Sequence, residues 1–352
     1  MHKPIVQLCF QPPGKAVFVW KSGFCARFPT TKSDVEYNRE WFVEKGEAEE
    51  MKKKMTREQA NLLCLLTAAI WGGGFIATDV AIDTFEPFVF LMIRFVLAGL
   101  LAWIPLAFTR ERITKETLKT GMISGFFLYT AFAFQTFGLA YSEPGMNAFL
   151  TSTNVVIVPY LAWMVYRKKS EGSTLLASFL CLAGIGFLSL SKGGFSFSIG
   201  DGLTLICALL FAAQIVSLQN ADRCPVNALN AVQLSTAGVL SLFFGLKGPY
   251  PAHVSFEAIA SMGYSVILAT LVCYLLQTLA QQHTSAAAAS VLLGTESLWA
   301  NVFSFLLLGS RPSLMMILGG TLIFMAILIV EGKGLFEGKR KRPDCVQCRD
   351  ES

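Results

Sequence analysis

Apolar stretches separated by short polar linkers recur along the chain from residue 61 to residue 331. Ten can be read, at about 61–80, 88–108, 119–140, 145–165, 174–190, 202–219, 227–246, 258–280, 286–308 and 313–331. Each is close to the roughly 20 residues that a helix rising 1.5 Å per residue needs to cross about 30 Å of hydrocarbon. Short linkers make neighbouring spans antiparallel, because lipid tolerates no unpaired backbone between them. The pattern predicts an all-α polytopic membrane protein with ten transmembrane helices. Composition agrees, since 53% of the 352 residues are hydrophobic and 15% are charged, too apolar a balance for an ordinary soluble domain.

The net charge of +5 reports topology rather than a nucleic-acid partner, because the basic residues fall in blocks between the apolar stretches. Lys52, Lys53, Lys54 and Arg57 precede the first span, and Arg110, Arg112, Lys115 and Lys119 lie around the second linker. Arg167, Lys168 and Lys169 follow the fourth span, and Lys333 with Lys339 to Arg342 follows the tenth. Alternating helices put all four blocks on one side, so the positive-inside rule predicts cytoplasmic termini and insertion in the cytoplasmic (inner) membrane. A basic lead, MKKKMTREQ, opens onto the first span, so translation is expected to begin at Met51 or Met55. Residues 1–57 read as an N-terminal cytoplasmic extension without assignable structure, and 333–352 as a basic cytoplasmic tail.

Shifting the chain by 142 residues aligns FQTFGLAYSEPGMNAFLTSTN, from Phe134, with LQTLAQQHTSAAAASVLLGTE, from Leu276. Gln135 then meets Gln277, Thr153 meets Thr295, and Asn154 meets Glu296. The chain divides into repeats at 58–190 and 200–332, five spans each. Five is odd, so the second repeat enters the membrane from the opposite side, an inverted arrangement common in secondary transporters, with the substrate site near the midplane. Asn154 and Glu296 each fall about ten residues into their spans, near the bilayer centre.

These residues carry a resemblance. Ile70-Trp71-Gly72-Gly73-Gly74-Phe75, Pro87 with Arg94-Phe95, the passage from Gly138 to Thr151, Pro159, and the stretch from Gln277 to Glu296 are similar to the EamA family of the drug/metabolite transporter superfamily, over roughly residues 58–335. The resemblance implies a ten-helix bundle that moves small metabolites, commonly outward, by alternating access. Two places depart from it. Family members often close spans four and nine with a Leu-Gly-Glu-like turn, where this chain has Tyr166-Arg167-Lys168 and Leu308-Gly309-Ser310.

Candidate pathway residues follow from cost. An ionisable group at mid-membrane costs about 3 kcal/mol on insertion scales, so Glu296 either pins two helices or lines a wet path, where it is also a candidate proton carrier. Gln135, Gln214, Gln277, Asn154 and Tyr129, with Asn301 and Trp299, suggest a mostly apolar cavity with a few orienting polar groups. Trp71 offers a flat apolar face, and Gly73 within its glycine run offers close packing or a hinge. Arg94 lies within snorkelling reach of the outer surface; it could hold a substrate carboxylate through paired hydrogen bonds or neutralise Glu86 or Glu143, and it is read as a gating or structural ion pair in preference to a ligand contact.

No cofactor is implied. Cys345 and Cys348 have zinc-like spacing without a second ligand pair, His2, His253 and His283 are scattered, and no metal site is expected. There is no P-loop for ATP drive. The implied partners are a small-molecule substrate and the lipid bilayer, with no nucleic acid, and a homodimer is left open. An amino acid or a related compound is the cargo considered. A membrane-embedded enzyme finds no paired acids, His cluster or Gly-x-Ser-x-Gly to support it. A non-transporting sensor or assembly partner is the other alternative, because a carrier fold does not prove flux.

Overall fold

The structure is a computed structural model that describes residues 55–141, 144–167, 169–189, 198–219, 221–308 and 314–340, with three short strands between residues 7 and 26. Two units separate along the chain, Met1–Met55 and Thr56–Ser352. In the first, β1 (Gln7–Gln11), β2 (Lys15–Val19) and β3 (Cys25–Ala26) pair antiparallel in that order. The sequence pattern assigns no structure here, because its apolar runs are too short for a periodicity to register.

The second unit is built of helices, and each of the ten apolar stretches lies on one rod. The rods are α1 (Arg57–Ile82); α2 (Pro87–Leu101) continued by α3 (Trp103–Thr109); α4 (Lys115–Ala140); α5 (Pro144–Thr151) continued by α6 (Asn154–Tyr166); and α7 (Gly172–Ser189). In the second half come α8 (Ile199–Ser217); α9 (Val226–Gly245); α10 (Phe256–Val266), joined by a π segment (Ile267–Val272) to α11 (Cys273–Gln281); α12 (Ala286–Leu293) continued by α13 (Glu296–Leu308); and α14 (Leu314–Arg340). Among the described residues, five of these rods are long and apolar enough to cross a membrane.

Local chemistry sets the ends. Thr56 and Gln59 close a reciprocal capping box at the start of α1, and Ser198 and Asp201 do so for α8. Pro87 opens α2 while the Glu86 carboxylate accepts from the Phe88 and Val89 amides. Arg110 and Arg167 end α3 and α6 in the left-handed region, with φ of 51° and 58°. Packing between rods rests on small residues, since lipid gives apolar side chains no reason to leave it. At the α2–α9 crossing, a Cβ on Gly99 would lie 3.0 Å from the Leu234 carbonyl oxygen, and one on Gly238 would lie 3.0 Å from that of Phe95. That reciprocal contact is backbone against backbone.

Solvent preference is inverted relative to a soluble protein. Leu100, Phe108, Ile199 and Phe243 are exposed on the outside, whereas Gln214, Gln233, Gln277 and Asn230 are fully buried. An apolar exterior with polar side chains gathered inside suits a hydrocarbon surround, where each polar group must find its partner within the protein.

Candidate functional site

Rods four and nine are both interrupted, and at equivalent positions. α5 stops at Thr151 and α6 starts at Asn154; α12 stops at Leu293 and α13 starts at Glu296. Through each break the backbone tightens to i→i+3 bonds, Thr153 N–H to the Leu150 carbonyl at 3.1 Å and Thr295 N–H to that of Leu292 at 3.3 Å. The hydroxyls of Thr153 and Thr295 donate to the same two carbonyls, at 2.6 and 2.7 Å. A threonine that competes for its own helix carbonyl explains why the turn fails there in both repeats. Asn154 and Glu296 consequently stand on the first turns of two half-helices, where an acid also meets the positive end of the helix dipole.

A third irregularity faces them. The π segment widens rod eight, and three side chains from other rods bond to it. The Trp71 indole donates to the Ala269 carbonyl at 2.7 Å, Arg94 Nε donates to Thr270 Oγ1 at 2.6 Å, and Asn230 donates to the Leu271 carbonyl at 3.4 Å. Thr270 in turn donates to the Ser265 carbonyl, five residues back, at 2.7 Å.

Between these elements lies a cavity of about 480 Å³. Its apolar wall includes Trp71, Phe90, Phe132, Phe211 and Tyr274, and its polar groups include Arg94, Gln135, Asn154, Gln214, Gln277 and Glu296. Trp71 and Tyr274 pack with ring centroids 5.4 Å apart. The Arg94 guanidinium is 5% exposed and sits 4.8 Å from the Phe132 ring centroid. It forms no ion pair with any described residue: Glu86 caps its own helix, and Glu143 lies outside the described residues. Among the described residues Arg94 instead donates to Thr270 and to the Ala269 carbonyl and makes a cation–π contact, while the expected pair with Glu143 falls outside what is described. Glu296 faces the same cavity, and among the described residues no hydrogen bond reaches its carboxylate.

Of the expected pathway residues, Trp71, Gln135, Asn154, Gln214, Gln277 and Glu296 line this cavity, and so does Arg94. Gly73, Tyr129 and Trp299 do not. A Cβ on Gly73 would lie 2.8 Å from the Tyr264 hydroxyl, and one on Gly72 would lie 2.6 Å from Trp299 Cβ, so the glycine run and Trp299 serve the α1–α10 and α1–α13 contacts. Tyr129 is 3% exposed in the apolar core beside Phe95, at 6.4 Å between centroids. The Asn301 side chain, Cys345 and Cys348 fall outside what is described. Asn147, Thr151 and Phe132 line the cavity without having stood out in the sequence, as isolated polar or aromatic positions in apolar runs. Asn147 holds the first-half wall by donating to Thr204 at 2.8 Å and to the Gln135 carbonyl at 3.3 Å.

An all-α polytopic protein with helices broken at matched points around a mixed polar and apolar cavity is built as a membrane transporter. The model of the EamA-like transporter family matches the chain twice, over residues 59–190 and 198–331, and the chain belongs to that family. It is 32% identical over 275 residues to an uncharacterized transporter of Archaeoglobus fulgidus, covering 78% of this chain and 86% of that one. It is 26% identical over 292 residues to an S-adenosylmethionine/S-adenosylhomocysteine transporter of Chlamydia muridarum, covering 75% and 91%. A solved crystal structure shares the fold, with a TM-score of 0.67 at 17% identity over 78% of this chain and 99% of the other.

Proposed function

We propose that this transporter is a secondary carrier that moves a small organic metabolite bearing an amino-acid group outward across the cytoplasmic membrane by alternating access. The observation that carries this reading is the pair of charges in one cavity. Arg94 and Glu296 both line it, and neither has an oppositely charged partner among the described residues. A charge taken out of water and left unpaired is costly, and the cost falls when a ligand supplies the counter-charge. A carboxylate suits the Arg94 guanidinium, which presents a planar fork of donors. A protonated amine suits Glu296. The aromatic wall then takes the apolar remainder, and about 480 Å³ lies within the range of cavities that hold small molecules.

Two further points support it. The chlamydial relative is named for S-adenosylmethionine and S-adenosylhomocysteine, and both compounds carry an α-amino acid group. The matched breaks in rods four and nine are the kind of discontinuity around which inverted repeats rock. With ten spans alternating, the distribution of basic clusters supports cytoplasmic termini. No step of this cycle calls for chemistry on the cargo, so the protein acts as a carrier and not as an enzyme.

Counterflow in phospholipid vesicles tests the reading. Vesicles loaded with unlabelled amino acids should take up labelled ones saturably, and Glu296→Gln should abolish that uptake while the protein stays monodisperse. Intact wild-type protein that gives no saturable flux with any amine-bearing probe would sink the carrier reading.

A further inference from the structure

Behind the second-half wall of the cavity runs a chain of buried side-chain amides, and its polarity follows from its two ends. Asn230, Gln233, Ser124, Gln214, Gln277 and Gln281 are each no more than 2% exposed. At one end Asn230 Nδ2 faces the Leu271 carbonyl at 3.4 Å. A backbone carbonyl only accepts, so the nitrogen end must lie there, leaving Asn230 Oδ1 to accept from Gln233 Nε2 at 3.1 Å. Gln233 Oε1 then takes the single proton of Ser124 at 2.7 Å. Having spent that proton, Ser124 accepts from Gln214 Nε2 at 3.3 Å, which turns Gln214 Oε1 toward Gln277 Nε2 at 3.1 Å. At the other end Gln281 Nε2 donates to the Ile215 carbonyl at 2.9 Å, so its Oε1 also faces Gln277 Nε2, at 3.1 Å.

Two carbonyl ends therefore converge on one nitrogen. Both protons of the Gln277 amide are used, and among the described residues its buried Oε1 has no partner. Turning Gln277 over would set oxygen against oxygen at two contacts, so the chain holds the amide in this orientation. Gln277 lines the cavity together with Glu296. A buried acceptor without a donor costs the folded state, and a donor brought in by the cargo removes that cost.

We infer that the amide chain makes Gln277 an obligate hydrogen-bond acceptor, and that Gln277 and Glu296 together form a subsite for the protonated amine of the cargo. The inference rests on the carrier reading above and adds its selectivity. An amine satisfies both groups, a 2-hydroxy acid satisfies Gln277 without the charge, and a 2-oxo acid offers no donor and sets its carbonyl against Oε1. Ser124, Gln233 and Asn230 do not line the cavity, so they are positioning residues whose loss releases one of the two carbonyls that hold the Gln277 amide.

The test compares each of the common amino acids with its 2-oxo and 2-hydroxy analogues, by thermal stabilisation of the intact purified chain and by competition for counterflow in vesicles. The amino acid that stabilises wild type most should beat its 2-oxo analogue by about tenfold or more, with the 2-hydroxy acid between. Gln277→Met should lower that ratio by about threefold or more, with Glu296 still favouring the amine, and Ser124→Ala and Asn230→Leu, which free one of the two carbonyls, should each lower it by a smaller factor, an effect that mere loosening of the fold does not produce. If Gln277→Met does not fold, the two positioning variants carry the test. Unchanged ratios in all folded variants would overturn the inference, as would wild type that no amino acid stabilises. Selective stabilisation without flux in wild type would leave the subsite standing and remove the carrier reading.

Discussion

The two repeats place a glutamine at the same point of their third rods and use it differently. Gln135 is partly exposed to the cavity and held by one side-chain bond, to Thr151 at 3.3 Å. Gln277 is 1% exposed and donates twice, at 3.1 Å each, into a buried chain of amides. The breaks that follow them are matched, with threonine bonds at 2.6 and 2.7 Å, although rod eight carries the π segment and rod three runs as one α-helix. Beyond the break stands Asn154 in one repeat and Glu296 in the other. Duplication preserved the backbone device, while the side chains diverged into a neutral, lightly tethered wall and a charged, rigidly oriented one. Discrimination is expected from the rigid wall, because a fixed amide cannot turn to suit a wrong ligand.

Several substitutions break or sharpen that contrast. The largest effect is expected at the charges: Glu296→Gln and Arg94→Gln should each lower counterflow at least about a hundredfold, against a few-fold for Asn154→Ala, read as initial uptake rates. Next come the two glutamines, measured by thermal unfolding in detergent. Gln277→Leu strands the carbonyls of Gln214 and Gln281 and should cost about 2–4 kcal/mol, whereas Gln135→Leu should cost under about 1 kcal/mol. A smaller and equal loss is expected at the breaks. Thr153→Val and Thr295→Val each remove one hydroxyl donor and should cost about 0.5–1 kcal/mol, with unequal losses showing that the breaks are not equivalent. Smallest for transport, Tyr129→Phe should leave uptake within about twofold and raise stability slightly, by up to about 1 kcal/mol, since it removes a buried hydroxyl that has no partner among the described residues.

The rods were legible because ten apolar stretches of helical length admit little else in lipid. The pairing of Asn154 with Glu296 was legible too, since a shift of 142 residues aligns their surroundings. What period and length could not register were the breaks. Ser152-Thr153 and Gly294-Thr295 sit inside runs apolar enough to read as continuous helix, although small and hydroxyl residues at the same register of both repeats were the available signal. The π segment leaves no mark in the run from Ile267 to Val272, which reads as ordinary apolar helix. Aromatic facing was equally hidden: Trp71 reaches the cavity and Trp299 does not, a difference set by which rods cross, not by either residue's neighbours. Asn230 and Gln233 drew no reading in the sequence, and only the crossing of α4, α8 and α11 joins them into a chain.

The wide turn at Ile267–Val272 has a consequence for how this rod tolerates changes of length. A π turn holds about one residue more than an α turn over the same rotation. Deleting one residue inside it would restore plain α geometry and leave Tyr264 and Gln277 on the faces they now occupy. The same deletion would withdraw the Ala269 carbonyl and the Thr270 hydroxyl from Trp71 and Arg94. Rod eight thus carries a spare residue whose removal is silent for the scaffold and audible to the side chains that lean on it, Trp71, Arg94 and Asn230.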